Sequence, residues 1–212
     1  MRTLFRIFIS MALSFLITAS LCPAGGAQVV LNEILADPLS DWDGDGEVNF
    51  RDDEWIEVIN LGDSPVDLSA YLISDGEGEP VWRYGYAGML GPGEVRVTYG
   101  SDSKAWEQAN GFPAYGLSLN NAGDRLTLYC ITGPDTVPAD AYMYTDLAAN
   151  NDRSIGRSAR LPGAWNIFDL LNPCTDSCDP PGNGCMPTPG SANECITPAR
   201  ADSWGAIKTY YR

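Results

Sequence analysis

This 212-residue chain carries 28 acidic and 13 basic side chains, a formal net charge of −15. Such a field disfavours duplex nucleic acid and anionic membrane, whose binding needs clustered Lys and Arg, and it suits high solubility and divalent cations. The absence of histidine excludes Ser-His and Cys-His nucleophile systems and His-ligated zinc.

Arg2 and Arg6 flank the start of an apolar run from Ile7 to Leu21, and the small-residue stretch PAGGAQ comes directly after it. This is the layout of a secretory signal peptide over residues 1–27, with cleavage expected after Ala27. The run is short for a spanning helix, which needs ~20 residues. A lipidated Cys22 is disfavoured because Leu21 stands where a small residue is needed. Removal of Arg2 and Arg6 with the leader leaves 11 basic residues against 28 acidic ones, a net charge of −17. The remaining length suits one domain with a real core.

Strand signals dominate the rest of the chain. QVVLNEIL opens the mature part with β-branched and apolar residues. Next comes DWDGDGEVNFRD, residues 41–52. A twelve-residue calcium loop takes ligands from its positions 1, 3, 5, 7, 9 and 12 and a sharp turn at position 6. Here those positions are Asp41, Asp43, Asp45, Glu47 through its carbonyl, Asn49 and Asp52, with Gly46 at the turn, where φ > 0 must be cheap. Val48 falls at the eighth place, where an apolar side chain packs inward. Asp52 is one methylene shorter than a glutamate, as in dockerin-like loops, which the stretch also resembles. No helix is expected on either side, so the loop reads as a clip between two strands. Calcium is the expected ion, because magnesium holds its water and demands tighter geometry.

EWIEVIN, residues 54–60, is apolar on both faces, as in an interior strand. VDLSAYLISD (66–75) suggests a strand pair with a bend. SDGEGE (74–79) lacks the aspartate spacing and reads as a surface turn. In VWRYGY, Trp82, Tyr84 and Tyr86 are expected on one strand face, as packing or as a stacking platform for sugar. GEVRVTYG alternates cleanly; a short helical turn is possible near SKAWEQAN; YGLSL and DRLTLYC flank the turn residues NNAG. DAYMYT and DRSIGR are weaker strands. In DRLTLYC, Leu126, Leu128 and Cys130 share a face, and Cys130 is expected to be a buried thiol. Many short strands at this spacing mean an all-β, antiparallel β-sandwich with long loops.

Cys174, Cys178, Cys185 and Cys195 lie in one irregular loop, residues 172–195. In an exported chain they read as two disulfides, with three pairings open. Residues 194–212 form a C-terminal tail ending in SWGAIKTYYR, for which a sorting or anchoring role is expected.

Three blocks carry a resemblance: VVLNEILAD, then DDEWIEVINLGDSPVDLSAYLISD after the acidic loop, and finally PTPGSAN. Together they resemble the lamin tail domain as it occurs in bacterial secreted proteins, over residues 28–193. The resemblance implies an immunoglobulin-like β-sandwich and a non-catalytic module that binds or tethers. The cysteine-rich loop and the tail fall outside the family pattern. Two function classes are open. The first is a secreted, calcium-stabilised module that binds a cell-surface or extracellular protein or glycan, with membrane contact only through the leader or the tail. The alternative is an extracellular hydrolase of polymers that depends on carboxylates and calcium. Paired acids such as Glu54 and Glu57 do not serve it, since on a strand they point to opposite faces.

Overall fold

The computed structural model describes residues 28–76, 78, 80–159, 163–175 and 178–195. The expected leader and residues 196–212 of the expected C-terminal tail lie outside the described residues. Among the described residues, eleven strands and one α-helix occur in order. They are β1 (Val29–Leu35), β2 (Trp55–Asn60), β3 (Val66–Asp67), β4 (Tyr71–Asp75), β5 (Val81–Gly85), β6 (Met89–Leu90), β7 (Val95–Tyr99), α1 (Gly100–Ala109), β8 (Gly123–Thr132), β9 (Asp135–Thr145), β10 (Ser154–Arg157) and β11 (Trp165–Phe168). A five-stranded sheet, β11-β10-β1-β2-β7, packs on a four-stranded sheet, β5-β4-β8-β9, and β3 pairs with β6. All these strand pairings are antiparallel, so the fold is an all-β sandwich.

The core lies between the sheets. Leu31, Ile34, Ile56, Val58 and Ile155 meet Tyr71, Ile73, Leu126 and Leu128 there. A register shift between Leu31 and Glu33 lets β1 turn both Leu31 and Ile34 inward and send Glu33 to the other face. That outer face is buried too: Leu35 pairs with Trp55 across β1 and β2, and neither is exposed. EWIEVIN is apolar on both sides because both sides are covered.

Four expectations change. SKAWEQAN is the core of a ten-residue helix rather than a passing turn. Its buried residues are Gly100, Ser103 and Glu107, so no apolar stripe advertises it. YGLSL forms no strand; Leu117 and Leu119 are buried as parts of a loop. Trp82, Tyr84 and Tyr86 do not share a face. Trp82 pairs with Ser74 and Tyr84 with Ile73, so a bulge at Arg83 switches sides. Trp82 then meets Tyr129 edge-on at 5.2 Å, while Tyr84 packs on Tyr86 at 5.0 Å. Cys130 is buried, as its strand face requires, but it is disulfide-bonded rather than a thiol; alternation fixes a side chain's face, not what its sulfur meets. In the long loop the bonds are Cys174–Cys178 and Cys185–Cys195.

Candidate functional site

The acidic loop leaves β1 and returns to β2, and its stem is pinned by two buried carboxylates. Asp53 has no exposure. One of its oxygens accepts the amides of Trp42 at 2.6 Å and Asp43 at 3.1 Å, and the other accepts the amide of Asn49 at 2.7 Å. Asp152, in a left-handed conformation at φ 56°, accepts the amides of Leu39 and Ser40, the Ser40 hydroxyl and the Trp42 indole N–H, at 2.7 to 3.1 Å. The Trp42 ring lies 6.0 Å from that of Trp55. The loop is therefore shaped by donors that converge on anions from below.

At its tip the side chains curl inward. Asp41 accepts the amides of Gly44 at 2.8 Å and Gly46 at 2.9 Å; Asp43 accepts that of Asp45 at 3.1 Å, and Asp45 that of Glu47 at 2.8 Å. Gly44 and Gly46 have φ of 77° and 94°, the region where a Cβ is costly. One carboxylate oxygen from each of Asp41, Asp43 and Asp45 lies within 4.8 Å of the other two.

Glu47 was expected to contribute its backbone carbonyl, and its side chain is exposed. The Asn49 side-chain oxygen accepts the Arg51 amide at 3.0 Å. Asp52 forms an ion pair with Lys104 of α1. Val48 does not pack inward: it is 59% exposed, because among the described residues no second element covers that position of the surface loop. The end of the loop is docked instead on α1. Gly100 and Ser101 donate to the carbonyls of Glu54 and Asp52 at 2.8 and 3.2 Å, and Arg51 donates to the Tyr115 carbonyl and the Ser118 hydroxyl.

A second acidic group escaped the sequence. Glu33 and Glu57 stand directly opposite each other on β1 and β2, and neither is exposed. Glu33 accepts the Ser154 hydroxyl, the Thr188 amide at 3.1 Å and the Thr188 hydroxyl at 2.5 Å. Glu57 accepts the Asn32 side-chain amide at 2.5 Å and the Gly190 amide at 2.7 Å. Asn193 closes the group, accepting from Asn32 at 2.8 Å and donating to the carbonyls of Asn32 at 3.1 Å and Arg157 at 2.9 Å. Gly156 makes room for it, since a Cβ there would lie 2.6 Å from the Asn193 side-chain nitrogen. Burial pushes both glutamates up to about 7, against their hydrogen bonds, and the Glu33 charge adds to the rise at Glu57. PTPGSAN is thus a closing clasp: its donors satisfy two acids of the central strands. The only signal was an acid inside each of two largely apolar strands.

Two more acid sites sit at the pole capped by α1. Burial pushes Glu54 up to about 8 while it accepts the Leu119 amide at 3.1 Å. Asp75 is pushed up to about 7, by burial first and then by Asp124 beside it. Arg83 bridges Asp75 and Glu107 at 3.4 and 3.3 Å. Glu54 and Glu57 indeed serve opposite sides of the sheet.

With a sandwich of this topology in place, the comparison with family models decides the identity: the lamin tail domain model matches residues 23–146. The chain belongs to the lamin tail domain family. No curated protein and no solved structure gave a significant match. The lamin tail match ends before β10, yet β10 lies between β1 and β11 in the five-stranded sheet. The clasp and the last two strands therefore complete the same lamin tail sandwich. Domains of this kind are immunoglobulin-like and generally non-catalytic. Among the described residues, no helix is long and apolar enough to cross a membrane.

Proposed function

We propose that this lamin tail domain is an exported, non-catalytic binding or tethering module of the bacterial secreted type, and that calcium clips its acidic loop. The observation that carries the calcium reading is the approach of Asp41, Asp43 and Asp45 to within 4.8 Å. Oxygens that share one Ca²⁺ at 2.3–2.6 Å lie no more than about 5 Å apart. Asp41, Asp43 and Asp45 would supply carboxylate ligands, and Glu47 its carbonyl. Asn49 and Asp52 would join them by exchanging their present partners, Arg51 and Lys104. The ion supplies charge neutralisation between three like charges, and thereby fixes the connection between β1 and β2. Export is supported by the Cys174–Cys178 and Cys185–Cys195 bonds, which suit an oxidising compartment. A partner is expected among extracellular or cell-surface proteins and glycans.

Calcium titration by calorimetry tests the reading. Extracellular calcium modules bind with Kd on the order of 10⁻⁴ to 10⁻³ M. At 10 mM calcium and a Kd of ~10⁻³ M the folded state gains about 1.4 kcal/mol, worth about 4 °C in Tm for a domain of this size. Asp41→Ala and Asp45→Ala abolish both the heat and the Tm shift. A wild-type Tm that is the same in calcium and in chelator rejects the clip.

A further inference from the structure

The segment between Cys185 and Cys195 crosses the outer face of the five-stranded sheet as a strap, and its two ends are held differently. At the first end Cys185 is 2% exposed, and its carbonyl accepts the Leu170 amide at 2.9 Å; Pro187 beside it is buried. At the far end, among the described residues, no backbone hydrogen bond ties 192–195 to either sheet: Glu194 bonds only to Ala192. Asn193 and the disulfide hold that end. Gly190, Ser191, Ala192 and Glu194 are exposed. A crevice of about 440 Å³ is lined by Met186, Pro187, Thr188, Pro189, Ser191, Ala192 and Glu194, so the strap arches over its own residues rather than packing densely. Few buried apolar groups and many exposed ones mark a segment that opens locally before the domain does.

We propose that the Cys185–Cys195 disulfide is a redox latch: reduction lets the far end of the strap lift and uncovers the Glu33–Glu57 pair while the two sheets stay folded. The reductant is a dithiol. Its thiolate attacks one sulfur of the pair, the Cys185–Cys195 bond breaks, and the second thiol of the reductant displaces the mixed disulfide. Two electrons pass to the cystine, which takes up two protons, and the dithiol leaves as a disulfide. The bond closes a loop across 10 positions, and its loss restores to the strap the freedom that closure had removed. What then remains over the glutamates is a set of hydrogen bonds that water can replace. The latch does not depend on calcium, since the strap and the acidic loop share no residue.

Carbodiimide labelling of carboxyl groups, read by peptide mass spectrometry on the full chain, tests it. Glu33 and Glu57 are expected to label at least tenfold faster after dithiol treatment, with Glu54, buried at the other pole, unchanged. Without reductant, the double substitution C185S/C195S reproduces the increase, and C174S/C178S does not. Equal labelling of Glu33 and Glu57 in oxidised and reduced protein overturns the latch. A parallel rise at Glu54 overturns it as well, because the whole domain has then opened. Should C185S/C195S fail to fold, dithiol treatment of C130S/C174S/C178S gives the same readout on a chain that retains the latch.

Discussion

At the tip of the acidic loop, Asp41, Asp43 and Asp45 face one another at the surface, and their donors are amides of the same short loop. Glu33 and Glu57 face one another with no exposure at all, and their donors come from Ser154, Thr188, Asn32 and Gly190. Both groups set like charges side by side. Water and a hard cation can relieve the first, whereas the second is relieved only by protons and by donors brought from far along the chain. The difference teaches that acid clusters in one sandwich can hold unlike things: a local turn in one case, three distant segments in the other.

Breaking the buried group has the largest expected effect. Asn193→Ala leaves the carbonyls of Asn32 and Arg157 without their donor, and each orphaned buried acceptor costs about 1–3 kcal/mol. A loss of about 3 kcal/mol in urea unfolding is expected, and a loss below about 0.5 kcal/mol would show that the clasp is not holding the sheet.

Acidity comes next. Glu33 and Glu57 are pushed up to about 7 and Glu54 to about 8, from an ordinary 4.5. Between those values the folded protein binds protons that the unfolded chain has released. Stability present below pH 4.5 is therefore lost as pH rises toward 8. Urea midpoints at pH 5, 6.5 and 8 should fall in that order, and Glu57→Gln should flatten the slope; a midpoint that climbs with pH would contradict the assignment. Third in size is the calcium effect of about 1.4 kcal/mol, which should vanish in Asp41→Ala and survive in Glu57→Gln. The smallest concerns the ion pair that docks the loop on α1. Lys104 and Asp52 keep side-chain exposures of 27% and 21%, so Lys104→Met should change unfolding free energy by no more than about 0.5 kcal/mol. Calcium affinity in that variant should rise slightly, because Asp52 loses its competing cation; a weaker affinity would mean that the pair helps to shape the loop.

The sandwich itself was legible. Its long strands alternate or run apolar over enough residues for period two to show, as in EWIEVIN and GEVRVTYG. The helix was not, because its buried side is Gly100, Ser103 and Glu107. The side-switch at Arg83 was not, because one extra residue inverts everything after it.

For the acidic loop, sequence alone determined the spacing of Asp41, Asp43 and Asp45 and the need for glycine at 46, since both are local consequences of chain geometry. Only tertiary structure decided that Asp53, one place beyond the expected ligands, shapes the loop, and that Asp52 faces Lys104. Only it set Glu33 against Glu57 and placed PTPGSAN over them. The physical reason is range: backbone sterics and alternation act within a few residues and can be read along the chain. Pairing across strands and the supply of donors to a buried charge depend on other segments of the chain, for the clasp more than a hundred residues away, and a linear pattern holds no record of which of them will meet.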